Sequence, residues 1–208
     1  MKLTTLFTSA CLVSVLTLAS SCKKEDKPSP AAPAGGSAST EPNALADHIT
    51  VLAHHHRTKP SDPVRIDFER FKVLDATFDP QKVEGGKATI EIDLSSFRTG
   101  SDERDEHLKS PAYLDVAKLA TITIAIDNVK QKAGTTYTAD ATVAAHGITK
   151  SYPVTFEVLG RTDTSLRIKG MHTFTRLDFG IGTDPDQNAD EQVGTDLTIE
   201  MVLTIPKS

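Results

Sequence analysis

The chain has no tryptophan, and aromatic residues make up only 5% of its 208 positions, eight Phe and three Tyr. Cysteine is equally scarce. Cys11 and Cys22 are the two present, both near the N-terminus, so no disulfide or thiolate metal site can staple the body of the chain. An excess of positive charge is missing as well: Lys+Arg 23 against Asp+Glu 28 leaves a net charge of -5. A general nucleic-acid binder would show a basic face, and this balance argues against one. The length suits one domain of ordinary size and is marginal for two.

What is present starts with an export signal. Met1-Lys2 is a short positive start, residues 3–19 are apolar without charge, and Ala19-Ser20-Ser21 places small residues before Cys22. This predicts a signal peptide over 1–21; a spanning helix would be near its lower length limit here and would lack the cleavage site. Leu18-Ala19-Ser20-Ser21-Cys22 resembles a bacterial lipobox, with Ala19 where Leu is usual. The resemblance implies that Cys22 becomes the lipidated N-terminus. The alternative is ordinary cleavage and a soluble periplasmic protein. Residues 23–43 are rich in Pro, Ala, Ser and Gly and hold no large apolar residue, so with Cys22 they read as a flexible tether over 22–43. Lys23, not Asp, follows Cys22, which favours the periplasmic side of the outer membrane. The folded domain is expected over 44–208.

That domain reads as β-structure. Ile90, Ile92 and Leu94 alternate with polar residues in 89–94, as do Ile122, Ile124 and Ile126 in 121–127 and Val154, Phe156 and Val158 in 153–158. A long run follows at Leu197, Ile199, Met201, Leu203 and Ile205. With further candidates at 47–53, 63–78, 135–145 and 164–175, about eight strands result, each with one apolar face, the pattern of an antiparallel sheet. Two parity breaks in 63–78 predict a long strand with two β-bulges, and bulges bend a sheet. Strong bending favours a barrel or a tightly curled sandwich. In 136–146 one face carries Tyr137, Ala139, Ala141, Val143 and Ala145. Eight strands enclose space that side chains fill or one small ligand occupies, and a wall of alanines points towards a cavity unless large residues opposite close it. The non-strand segment is 101–119, with Ser101 or Asp102 able to cap a short helix, acidic residues in its first turn and Lys109 near its end.

Thr99-Gly100, Arg104-Asp105-Glu106-His107-Leu108, Ser110 to Val116 and Thr121-Ile122-Thr123-Ile124 follow one another as in the YceI-like family, which this string resembles. The segment 144–158 (AAHGITKSYPVTFEV) is similar to that family's Gly-Val-Thr-Lys hairpin, and 174–182 (FTRLDFGIG) to its Arg-x-Asp-Phe-Gly element. The matching pieces cover most of 88–182 in order. Residues 44–60 and 63–78 depart from the family pattern, so ligand contacts there are not carried over. The resemblance implies an all-β fold: an extended, lipocalin-like antiparallel barrel of about eight strands with one short helical connection. It also implies an exported protein that binds a long amphiphile, such as an isoprenoid quinone, polyprenyl compound, fatty acid or fatty amide, and no catalysis.

The expected cavity lining is Tyr137, Ala139, Ala141, Val143, Ala145, Ile90, Ile92, Ile122, Ile124, Val154 and Phe156. Arg104, Asp105 and His107 are candidates for the rim or a polar head group, or they tie the helical connection to the barrel. No nucleophile stands in a G-x-S-x-G elbow, so no catalytic residue is assigned. His54, His55 and His56 cannot all face one metal, since strand side chains alternate, although His54 and His56 could share a face with His48. Without converging ligands at a metal spacing, they read as an exposed polar edge. Asp184, Asp186, Asn188 and Asp190 resemble the start of a calcium loop, but Ala189 replaces the required glycine and Thr195 the closing Glu. Arg176 and Asp178 read as an ion pair or turn cap beside Gly180 and Gly182. No metal or cofactor is expected, beyond a possible bound isoprenoid or other lipid. The expected partners are an apolar small molecule and the membrane through the lipid anchor, with no nucleic acid; oligomeric state is left open. Two rivals stay open: a hydrolase or isomerase on a similar lipid, with paired titratable groups in the cavity, and a structural lipoprotein with a filled barrel.

Overall fold

Period-two alternation decides which face of each strand turns inward, and the sheet follows from it. The structure, a computed structural model, describes residues 46–55, 63–184 and 193–207. The expected signal peptide, Cys22 and tether lie outside the described residues, as do His56 and positions 186–190 of the acidic loop. Ten strands occur among the described residues: β1 (His48–His55), β2 (Val64–Phe68), β3 (Phe71–Asp79), β4 (Lys82–Asp93), β5 (Phe97–Arg98), β6 (Thr121–Ala133), β7 (Thr136–Ala145), β8 (Ile148–Arg161), β9 (Ser165–Thr175) and β10 (Val193–Pro206). They form one antiparallel sheet in the order β3-β4-β6-β7-β8-β9-β10-β1-β2-β5. The apolar parities face one core: Ile90, Ile92, Ile124, Val158, Leu197, Leu203 and Ile205 are all buried in it.

The ends of that order are two halves of one bent hairpin. β2 runs directly into β3 and β4 into β5, yet β2 pairs with β1 and β5 while β3 pairs with β4. Counted as chain paths, the ten segments are eight, and the sheet curls until the bent hairpin joins its two ends. The expectation of a single strand over 63–78 with two bulges is corrected here. The first parity break is an interruption at Glu69–Arg70, and the second is a bulge at Leu74–Asp75, where both residues are exposed.

Polar bonds hold the interruption. Asp93 caps the 3-10 turn Leu94–Ser96, accepting from Ser95 N at 2.8 Å and from Arg70 Nε at 2.9 Å. The hydrogen bonds from Ser95, and after them Arg70, hold the Asp93 carboxyl below the usual carboxylate value. Ser96, fully buried, donates its hydroxyl to Asp93 O at 2.7 Å and accepts from Arg70 N at 3.0 Å. Two backbone groups that lose their ladder partners at the bend are thereby satisfied.

The helical connection forms as its caps dictate. Ser101 caps α1 (Asp102–Lys109), accepting from Arg104 N at 3.4 Å, with Asp102, Glu103 and Asp105 in the first turn. Between β7 and β8 a two-residue turn, His146-Gly147, has both residues at positive φ, 50° and 76°, the twist that suits a tight hairpin.

Replacing Ser96 by Ala removes the hydroxyl with the least change in volume. The part-buried bond from Arg70 N–H and the one to Asp93 O are then lost, and stability is expected to fall by about 1–3 kcal/mol in chemical denaturation. A loss below about 0.5 kcal/mol would mean that the bend is held by other contacts.

Candidate functional site

Inside the barrel lies a cavity of about 560 Å³. Its walls are the inward rows of nearly every strand. Of the expected lining, Ile90, Ile92, Ile122, Ile124, Ala141, Val143, Ala145, Val154 and Phe156 all border it. Tyr137 and Ala139 do not: both are buried in packed core beyond it. The physical reason is the Tyr137 ring, stacked on Phe156 at 5.6 Å, with its hydroxyl accepting from Arg161 Nη2 at 3.4 Å. The small face of β7 therefore opens space only from Ala141 onwards. The lining also includes residues outside the expected set, among them Val51, Leu197, Ile199 and Phe174. The parity of the candidate strands at 47–53 and 164–175 and of the last run carried that signal.

Most polar groups of the lining gather at one end, with Lys87 and Thr155 the exceptions. Pairing of His55 with Val193, Asp196 with Thr175 and Ala145 with Ile148 places these residues at a common end of the barrel. The connection after α1 packs there, with Gly182 N donating to Ala112 O at 3.0 Å. His55, Arg104, His107, Tyr113, Tyr152, His172 and Thr183 all border the cavity at this end. Arg104, His107 and Thr183 are exposed, so the cavity reaches solvent beside α1. The opposite end is lined by the buried Phe78, Val83, Leu166 and Ile205, with the exposed Lys87 beside them.

At the rim, one of the two readings open for Asp105, the tie between the helical connection and the barrel, is the one found, and the ion pair of Arg176 with Asp178 is corrected. Asp105 does not face the cavity: it is buried and accepts from Thr99 N at 2.9 Å and from Thr99 Oγ1 at 2.6 Å. It locks α1 to the segment after β5. Arg176 and Asp178 are not an ion pair. The buried guanidinium of Arg176 donates to four carbonyls, Ile181 O and Thr183 O at 2.6 Å, Gly194 O at 3.0 Å and Val193 O at 3.1 Å. It uses the donor fork of arginine to tie the segment after β9 to the start of β10. Gly182 belongs to this packing, since its φ is 67° and an added Cβ would sit 2.7 Å from Arg176 Nη1. Asp178 instead accepts from the Tyr152 hydroxyl at 3.0 Å, with Lys150 Nζ at 3.8 Å. Burial, and then the bond to Asp178, push the Tyr152 phenol up to about 12.

The histidine run splits between environments. His48 bonds Ala46 O at 2.9 Å, His55 borders the cavity past a register shift in β1, and no three metal-ligating side chains converge among the described residues. His172 had no role in the sequence reading. On β9 it shares the inward parity of Leu166, Ile168 and Phe174, and that parity in 164–175 would have flagged it.

With this geometry in place, the comparisons decide the family. The family model described as the YceI-like domain matches residues 44–205. The chain belongs to the YceI-like family. A UPF0312 protein of Pseudomonas fluorescens is 31% identical over 140 residues, covering 64% of this chain and 71% of that protein. A UPF0312 protein of Shewanella denitrificans is 28% identical over 138 residues, covering 63% and 72%. Among solved structures, Burkholderia cenocepacia BcnA superposes with a TM-score of 0.66 at 18% identity, over 76% of this chain and 96% of that one. A polyisoprenoid binding domain from Saccharophagus degradans, implicated in plant cell wall breakdown, gives a TM-score of 0.59 at 14% identity, over 78% and 95%. These likenesses establish the lipocalin-like barrel as the fold.

The cavity environment makes a pH prediction. Burial holds the His172 imidazole below its ordinary value of 6.5, so the folded state keeps it neutral while the unfolded chain protonates it first. A depressed folded value means that this stability is present above about pH 6.5 and is lost as pH falls towards the folded value. Ligand-free protein is expected to lose more stability between pH 7.5 and 5 than the variant His172→Leu, measured by thermal melts. Equal losses would show that burial leaves His172 unperturbed.

Proposed function

We propose that the barrel binds one long, apolar amphiphile, its tail along the inward rows and its polar head at the α1 end. The observation that carries this reading is the mostly apolar cavity of about 560 Å³, with most of its polar groups at the α1 end. Ile, Leu, Val and Phe side chains replace water around the tail. Each CH₂ so buried contributes about 0.8 kcal/mol before the costs of association.

Size narrows the ligand. At about 30 Å³ per water-sized group, 560 Å³ takes roughly 19 non-hydrogen atoms. A fatty acid, a fatty amide or a short isoprenoid fills this space, whereas the tail of a long isoprenoid quinone has to leave through the open end. The polyisoprenoid binding domain of like fold supports an isoprenoid as one member of this class. Catalysis is no part of the reading. The cavity supports this reading over the filled barrel that the sequence left open.

Ala141 stands on the cavity wall, paired with Ile126 on one side and Tyr152 on the other. Ala141→Phe is expected to fold and to lose a fatty-acid or long-chain quinone probe, because the ring takes the tail's place. A packed site would instead lose about 1–3 kcal/mol on overpacking, so thermal unfolding of the stripped protein is measured beside probe retention. Native stability with full probe binding would show that β7 does not line the site.

Export and anchoring form the second part of the proposal. The small residues before Cys22 and the tether after it support acylation at that thiol, which would hold the barrel at the periplasmic side of the outer membrane. Cys22→Ser is expected to move the protein into the soluble periplasmic fraction. A variant that is processed and still remains with the membrane would overturn the anchor.

A further inference from the structure

β9 places a row of residues on the cavity wall. Leu166, Ile168 and Phe174 are apolar, Gly170 has no side chain, and His172 stands between Gly170 and Phe174. The imidazole is the one titratable ring in that row. Its Nε2 is buried and has no hydrogen-bond partner. Tyr152 does not serve it: the Tyr152 ring lies 5.2 Å from the His172 ring, its hydroxyl donates to Asp178, and no bond joins it to the imidazole. A buried polar atom left unpaired costs the full loss of its hydration. The neighbouring wall is apolar, so the protein itself offers this nitrogen nothing.

We infer that His172 is the residue that recognises the ligand's polar head, its ring turning to hydrogen-bond an uncharged hydroxyl or carbonyl oxygen held at the α1 end of the cavity. The inference rests on the binding reading above and adds which atom selects among apolar chains. A neutral imidazole has one donor and one acceptor nitrogen, so it can serve a hydroxyl in either sense and a carbonyl through its N–H. Burial, which keeps the ring neutral, fits an uncharged partner. Position agrees with this role. His172 lies inward of the exposed Arg104 and His107, so a head group at that depth leaves the tail pointing at the apolar end near Phe78 and Leu166. The arrangement favours an oxygen-bearing chain over a plain hydrocarbon, because the hydrocarbon leaves the buried nitrogen unpaired.

The test compares hexadecan-1-ol with n-hexadecane, two probes that differ by one hydroxyl. Each is delivered to the full chain from a cyclodextrin carrier, and the bound amount is read by extraction and gas chromatography. Wild-type protein is expected to bind both, the alcohol more tightly. His172→Leu should weaken the alcohol by about tenfold and leave hexadecane unchanged or tighter, with a melting temperature equal to or above wild type in the stripped state. His172→Gln, which keeps a polar head on the wall, should restore part of the preference. A parallel loss of both probes in the Leu variant would make His172 a packing residue and overturn the inference, as would an unchanged alcohol affinity. If wild type takes up neither probe, the binding reading itself fails, and the inference fails with it.

Discussion

At Glu69–Arg70 the chain stops pairing with β5 and starts pairing with β4, and the interior depends on that change of partner. A straight hairpin over 64–98 would extend the sheet at one edge. The Ser96 hydroxyl and the Asp93 carboxylate instead take up the groups that the bend frees. The same hairpin then belongs to both ends of the sheet, and the edges that would invite another chain are turned against each other. Inward parity becomes a closed apolar interior only because of this closure.

The interior is deliberately uneven. On the closed side, Tyr137 and Phe156 stack and fill the space between β7 and β8. Beyond them β7 presents Ala141 and Ala145 to the cavity. The cavity is thus the consequence of where large residues stop. Its open end is built differently, from segments pinned by buried polar groups: Asp105 on Thr99, and Arg176 on four carbonyls. Rigid polar clamps at the mouth and a small-residue wall within give a space that keeps its shape without a ligand, which lowers the ordering cost of binding one.

Charge and polarity follow the same division. Arg104 and His107 meet solvent at the mouth, while Tyr152 and His172 lie deeper, one satisfied by Asp178 and the other not. Of the two rings, only His172 retains unspent hydrogen-bonding capacity beside the apolar wall.

The sequence by itself determined the β class, the parity of each strand and the family, because alternation and ordered motifs are local and survive without knowledge of partners. It placed Ile90, Ile92, Ile124, Ala141 and Phe156 on one face, since a strand has only two. It could not separate Tyr137 and Ala139 from Ala141 on that face, because depth along a barrel is set by what stands across from each residue. Nor could it tell that the first parity break in 63–78 is a corner and the second a bulge; both shift the period by one, and only the identity of the pairing strand distinguishes them. Tertiary structure also decided the roles of Asp105, Arg176 and His172. A charged or polar side chain is satisfied or orphaned according to neighbours distant in the chain, and those neighbours exist only once the sheet has closed.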